Sequence, residues 1–430
     1  DAVDWWARAG ELSIHRSANV EAAAQLTAAL DLLSDGAAID GRDERELSVL
    51  SLLAVAHIAA KGYAAPEVGS AYERARELVS VVDDPLRFFP ALHGICRYYT
   101  TRGEHATAEG LGEKLLSLAN GTDDVGLQME AHRAMGHVLW SVGKQQLAVA
   151  HFDSAIASYD AGTHRSHALH YGGDPQVMCL GFSAVAKTIL GFPEEGLERS
   201  GRALSSPHAL DHPLTGAFAL AFRAYVLQLC GDLAGVREVA EELIVQAREQ
   251  YMPYWLAAGT ILHGWAVALQ GDPRAGVDEM TVALDLFARA GTDNLMPYAL
   301  TLMAEGQVEL HEYALAAASL DDAQKRVDRT GERVCAHELC RVRGEVLYRS
   351  PDPDHAAAER SFRAGIEIAR EQQAKFMELR AATSLGTFLR SQGRSEEARD
   401  IMGPVCGEIT EGEGTPVVLR ARELLESLLA

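Results

Sequence analysis

Apolar residues recur along this chain at the three- and four-residue spacing of a helix, and no stretch alternates apolar with polar as a strand does. The clearest window is Met129 to Asp160, MEAHRAMGHVLWSVGKQQLAVAHFDSAIASYD. Gly136 is followed by Gly143, and then Ala148, Phe152 and Ala155 stand 5, 4 and 3 residues further on. That spacing predicts a helix, a tight glycine turn and a second helix. Small residues fall where the two helices touch, and the phenylalanine fills the space toward the next pair.

The frame returns in Gly264, Gly271, Met280 and Ala283, and again in Gly386, Gly393, Ala398 and Met402. Its turns fall at Gly103, Gly143, Gly191, Gly231, Gly271, His311, Pro351 and Gly393, most of them about 40 residues apart. Upstream, Tyr63 and Ser17 occupy the equivalent place. A residue at positive φ commonly ends a helix, and glycine adopts it without steric cost. His311 and Pro351 lack that freedom, so their turns are expected to be built differently. The expectation is an all-α chain of about ten helix pairs, over residues 1–34, 45–82, 86–120, 127–160, 174–206, 213–249, 253–290, 295–329, 334–371 and 375–410, closed by a capping helix over 416–429. The repeat replaces the roughly three domains that about 150 residues per domain would suggest for 430 residues.

Composition narrows the function. With 48% hydrophobic residues, 23% charged and only 14 prolines, the chain is globular. Lys and Arg number 39 against 61 Asp and Glu, a net charge of −22, which argues against a direct nucleic-acid or membrane partner. Six cysteines without a CxxC pair form no disulfide framework. The longest apolar stretch, 47–60, carries two serines and a histidine and falls short of the ~20 residues of a membrane span. The opening DAVDWWARAG has no secretory signal pattern and no initiator Met. These features point to a cytoplasmic chain cut from a longer one.

The spacing Gly–x6–Gly–x4–Ala–x3–Phe–x2–Ala is the tetratricopeptide (TPR) pattern, and Trp6, Gly10, Ala22, Leu26 and Ala29 fit it near the start. The strings RAGELSIHRSANVEAAAQLTAAL, KGYAAPEVGSAYERARELV, HRSHALHYGGDPQVMCL, GTILHGWAVALQGD and RAATSLGTFLRSQGR are more specific. They resemble the C-terminal TPR region of large bacterial signalling ATPases, in which a cyclase domain or a DNA-binding regulator precedes a STAND-type ATPase and then the repeats. The resemblance covers essentially the whole chain. It implies a right-handed superhelical TPR solenoid whose catalytic domains lie outside this sequence.

Catalytic signatures are absent. Gly136 and Gly143-Lys144-Gln145 imitate a P-loop, but the spacing is wrong and no Ser or Thr follows the lysine. No GxSxG, HExxH or EF-hand loop occurs. His164, His167 and His170 form an HxxHxxH string whose third member leaves the shared helical face, so three-point metal chelation is poor geometry. Cys335 and Cys340 read as small buried apolar residues. No enzyme activity, cofactor or metal is expected of the chain.

A solenoid stacks its repeats around a long concave face, lined by the first helix of each pair. Six residues before each turn, the inward column reads His57, Arg97, His137, Val185, Tyr225, Trp265 and Glu305. His93, Arg133, Trp140, Phe218, Phe222 and Tyr298 stand beside it. The groove therefore reads as cationic toward the N-terminus and aromatic in the middle, fit for an acidic peptide, a carboxylate or a phosphate. The alternative for each aromatic is plain packing against the next repeat.

The long interval from Gly143 to Gly191 locates an insertion, AGTHRSHALHYGGDP, containing His164, Arg165, His167, Tyr171 and Asp174. Asp174 before Pro175 is a helix start. The insertion reads either as a structural plug or as a contact for ligand or for another domain of the parent. The function expected is a non-catalytic sensor and scaffold that binds a peptide, protein or small ligand and regulates an upstream ATPase or cyclase. A structural or oligomerisation arm is the alternative.

Overall fold

The structure, a computed structural model, describes residues 2–34, 41–79, 86, 88–206, 209, 211–289 and 293–429. The expected repeat limits at residues 1, 80–82 and 290 lie outside the described residues. The described residues contain helices and turns and no strand. The first pairs are α1 (Ala2–His15) with α2 (Asn19–Ser34), α3 (Arg42–Lys61) with α4 (Pro66–Val79), α5 (Phe89–Thr101) with α6 (His105–Asn120), and α7 (Val125–Ser141) with α8 (Gln145–Ala157). Two short helices, α9 (Ala161–His164) and α10 (His167–Tyr171), interrupt the series. Then come α11 (Pro175–Leu190) with α12 (Pro193–Leu204), α13 (Pro213–Cys230) with α14 (Leu233–Glu249), and α15 (Pro253–Leu269) with α16 (Pro273–Arg289). The last pairs are α17 (Met296–Glu309) with α18 (Tyr313–Thr330), α19 (Ala336–Arg349) with α20 (His355–Glu371), and α21 (Lys375–Ser391) with α22 (Ser395–Glu408). Helix α23 (Pro416–Leu429) ends the series against α21 and α22.

One contact explains the repeating pattern. A Cβ added to Gly136 in α7 would stand 2.6 Å from the Phe152 ring of α8, so only glycine lets the two helices come this close. The same meeting joins Gly10 to Leu26, Gly264 to Met280, Gly344 to Phe362 and Gly386 to Met402. Each large partner is fully buried, and burial of its apolar surface is the main favourable contribution of the pair. The turns follow from the backbone: Gly143 has φ 81° between α7 and α8. His311 also adopts the left-handed region, with φ 60°, so this turn keeps the common geometry and the expectation of a different build is corrected there. An L-residue pays about 1 kcal/mol for that conformation, and the adjoining helices impose it. At Pro351 the chain does differ, leaving α19 through an extended Ser350 with ψ 155°. In the upstream turn the positive φ belongs to Gly62, one residue before Tyr63.

Neighbouring pairs stack into a solenoid, and its successive superhelical turns touch. The Asn294 N–H donates to the Thr101 carbonyl at 3.0 Å, and the Arg333 N–H to the Ser141 carbonyl at 3.0 Å. The Glu194 N–H donates to Glu411 across 217 residues of chain. Tyr63 after α3 meets Tyr254 and Trp255 of α15 edge-on, at 5.3 and 6.0 Å. The superhelix therefore closes on itself, and its inner wall is core. Helix α13, the one helix among the described residues long and apolar enough to cross a membrane, is buried in this interior over 89% of its length.

Helix-pair packing generates a contrasting pair of predictions. Gly276→Ala would push a methyl to 2.2 Å from the Gly264 carbonyl and should lower stability by about 1–3 kcal/mol. Gly201→Ala, in α12 with nothing within 4 Å of the new methyl, should raise it by about 0.5–1 kcal/mol. Urea denaturation of the two variants checks the opposite signs.

Candidate functional site

The residues of the inward column do face the interior, but the structure divides them among separate places. Helices α5 and α7 carry Arg97 and Arg133 side by side, both buried. Between them and the insertion lies Glu130, one turn before Arg133 on α7 and fully buried. Its Oε2 accepts from Arg133 Nε at 2.6 Å, and its Oε1 meets His167 Nδ1 at 2.9 Å. His93 Nε2 lies 3.6 Å from Glu130, too far for a hydrogen bond.

The insertion reaches this centre with its backbone. Helix α10 ends at Tyr171, whose carbonyl accepts from Arg97 and, at 3.5 Å, from Arg133. A helix C-terminus presents unsatisfied carbonyls with partial negative charge, the natural partner of a cation. Gly172, at φ 68°, lets the chain turn away with Arg97 directly beneath it. The Tyr171 ring stands edge-on to His93 at 5.1 Å and under the Arg133 guanidinium at 5.9 Å. Asp174 is fully buried, caps α11 by accepting the Val177 N–H at 3.0 Å, and accepts the Tyr159 hydroxyl at 2.8 Å. His164 is buried and accepts the Asp160 N–H at 3.0 Å, whereas Arg165 is exposed and pairs with Asp211. The histidine string is broken between α9 and α10, so it forms no continuous helical face.

A cavity of about 50 Å³ opens beside Arg97 and Arg133. His93 and His137 stand over it, and Phe182, Phe218 and Phe222 form an aromatic wall. Tyr63 closes it from the same turn as Arg97, and Tyr254, Trp255, Asn294 and Leu295 close it from the next superhelical turn. Burial and the neighbouring arginine charges hold His93 well below the usual imidazole range, and burial chiefly pushes His137 down to about 3. Both rings are neutral at physiological pH. Arg97 donates to Tyr171 O and Tyr72 Oη and lies over the Tyr63 ring at 5.5 Å, with no carboxylate partner among the described residues.

The remaining candidates lie elsewhere. His57 is half-buried near Lys61 and Glu67, away from the cavity. Trp140 is fully buried behind the wall, in edge contact with Phe182 at 5.2 Å, so its place is packing. Tyr225 stacks on Tyr298 at 4.2 Å, beside a separate void of about 10 Å³. Trp265 donates to Glu305 at 2.8 Å in a cleft of about 480 Å³ between the later repeats. That cleft is rich in arginine, but Arg341 pairs with Glu305 and Glu338, Arg380 with Glu338, and Arg349 with Glu309. Its buried charges are balanced, and those at Arg97 are not.

Sequence reasoning missed Glu130, Tyr254, Trp255 and Asn294. Glu130 stands three residues before Arg133, a helical ion-pair spacing that was available to be read. The other three come from the next superhelical turn, which repeat spacing does not specify. Also unforeseen is Glu332, fully buried, whose carboxylate accepts the Leu295 N–H at 3.1 Å and so holds the segment that closes the cavity.

No protein-family profile matches the chain. An uncharacterised protein of Rhizobium meliloti (strain 1021) is 22% identical over 388 residues, which are 90% of this chain and 37% of that protein. The chain thus spans little more than a third of that relative's length. Among solved structures, a Rap protein complexed with competence and sporulation factor aligns over 99% of this chain and 97% of its own, at 12% identity and TM-score 0.43. Aspartyl phosphate phosphatase F from Bacillus subtilis aligns over 86% and 94%, at 9% identity and TM-score 0.44. A signal transduction ATPase with numerous domains (STAND) protein with a tetratricopeptide repeat sensor, from Pyrococcus horikoshii, aligns over 84% and 54%, at 12% identity and TM-score 0.42. These likenesses are too distant to bear on function.

Glu332 generates a pH prediction. Burial pushes its carboxyl up to about 8 from the ordinary 4.5, so the folded chain holds a proton that the unfolded chain has released. Stability is therefore fully present below the unfolded value and falls as pH rises from about 5 to 8, by at most about 1.4 kcal/mol per pH unit. Glu332→Gln should remove this part of the slope. Urea midpoints of both proteins at pH 5 and pH 8 measure it, and parallel slopes contradict the assignment.

Proposed function

We propose that the chain is a non-catalytic sensor and scaffold, a single solenoid domain that binds a peptide, protein segment or small ligand on its inner wall and regulates a signalling ATPase or cyclase in the same longer protein. The observation that carries this reading is Arg97: a buried guanidinium without a carboxylate partner among the described residues, beside an aromatic cavity shared by two superhelical turns. An acidic group suits it. A ligand there would touch both turns at once and bias their spacing, which is what coupling to another domain requires. The motif strings and the 37% coverage of the relative support a longer parent.

A non-catalytic role is supported by the thiols: burial pushes Cys96 and Cys230 up to about 12, far from a reactive thiolate. Six unpaired cysteines support a reducing cytoplasm. The net charge of −22 supports partners other than nucleic acid or membrane. The second reading, a structural or oligomerisation arm without a ligand, draws on the Tyr171 carbonyl already seated on both arginines.

A ligand-free experiment separates the two. Gly143→Cys with Arg333→Cys would place Cβ atoms 3.2 Å apart on successive turns, within a few tenths of an ångström of disulfide spacing. In the full-length parent, oxidation of this pair is expected to change nucleotide turnover at least tenfold, reversibly on reduction, with wild type unaffected. Equal turnover in both redox states would favour the arm.

A further inference from the structure

The cavity beside Arg97 has a chemistry specific enough to name its ligand class. Arg97 and Arg133 are opposed by one carboxylate, Glu130, so at least one positive charge stays unbalanced. Two of the five Arg97 N–H donors have partners among the described residues, Tyr171 O and Tyr72 Oη. His93 is 2% exposed, and both of its ring nitrogens lack a hydrogen-bond partner. Asn294 is 5% exposed, and its Oδ1 lacks one too. Buried polar groups left in this state are rare and costly, and all three residues line the same cavity. Phe182, Phe218, Phe222 and Trp255 supply aromatic wall, and Ala134 also lines the cavity.

We infer that this cavity is a binding site for a small monocarboxylate, its carboxylate on Arg97 and its short apolar tail against the phenylalanines. The inference rests on the sensor reading and names its ligand. A planar carboxylate matches a guanidinium fork, and one negative charge balances one unpaired arginine. Inorganic phosphate carries more charge and no apolar part, so it suits neither the charge balance nor the aromatic wall. Size narrows it further: about 50 Å³ is well below the 150 Å³ that holds a benzene ring, so the cavity takes in a carboxylate and a few carbons. The site joins both superhelical turns, through Arg97 and Phe222 on one side and Trp255 and Asn294 on the other.

Isothermal titration of the 430-residue chain with propionate, propionamide and inorganic phosphate tests the site. Propionate is expected to bind saturably, with propionamide and phosphate at least tenfold weaker. Arg97→Gln should weaken propionate at least tenfold, and circular dichroism checks that this variant folds. Ala134→Leu fills the cavity without removing a charge and should abolish binding by itself. Absence of saturable propionate binding, equal affinity for propionamide, or full binding by a folded Ala134→Leu protein would each overturn the assignment. Phosphate binding in preference to propionate would overturn it too, in favour of an inorganic anion site. These failures are distinct from failure of the sensor reading, which the redox-locked parent reports without any ligand.

Discussion

The seam between successive superhelical turns governs the rest of this molecule. A helical-repeat chain can in principle leave its inner face open, since each pair needs only its neighbours. Here the Asn294 N–H reaches the Thr101 carbonyl and the Arg333 N–H reaches the Ser141 carbonyl, so the second turn sits directly on the first. Those bonds satisfy backbone groups that water would otherwise satisfy, and the aromatic meeting of Tyr63 with Trp255 dries the space beside them. Closure divides an expected continuous groove into separate places: a small cavity beside Arg97, a smaller void beside Tyr225 and a larger cleft between the later repeats. It also explains why Trp140, Tyr225 and Trp265, all on inward faces, never converge.

At the Arg97–Arg133 centre, the chain lays its own carbonyl on the arginines. The insertion between α8 and α11 lays the Tyr171 carbonyl across Arg97 and Arg133, and Glu130 neutralises one of them. A carbonyl dipole is a weaker partner than a full negative charge, and burial magnifies the difference. The plug therefore organises the arginines without balancing them. Asp174 and His164 serve the plug itself, capping and buttressing, while Arg165 stays on the surface. Within the insertion, Tyr171 touches Arg97, Arg133 and His93, which line the cavity.

The fold was legible in the sequence because its determinants are local. Gly136 and Phe152, or Gly386 and Met402, stand sixteen positions apart, Gly344 and Phe362 eighteen, and each pair reports a helix–helix contact. Turns were legible for the same reason, although His311 shows that a left-handed residue need not be glycine when the flanking helices dictate the path. The candidate site was legible only in its first-turn half. Arg97, Arg133, His93, His137 and Phe222 follow from which face of α5, α7 and α13 points inward. Asn294 and Trp255 do not, because the pitch that brings them over depends on small angles accumulated across several repeats. Glu130 was legible in spacing, but only its burial makes it central.

The seam has a consequence for how the chain loses its structure. A solenoid held by nearest-neighbour contacts frays from its ends, since each repeat contributes nearly independently. Here Glu194 is tied to Glu411 and Arg380 to the Leu229 carbonyl, across 217 and 151 residues. Removing terminal repeats strips contacts from the middle of the chain, so partial unfolding loses its advantage. The molecule gains the cooperativity of a globular domain and, with it, the slow search for distant contacts that high contact order imposes on folding.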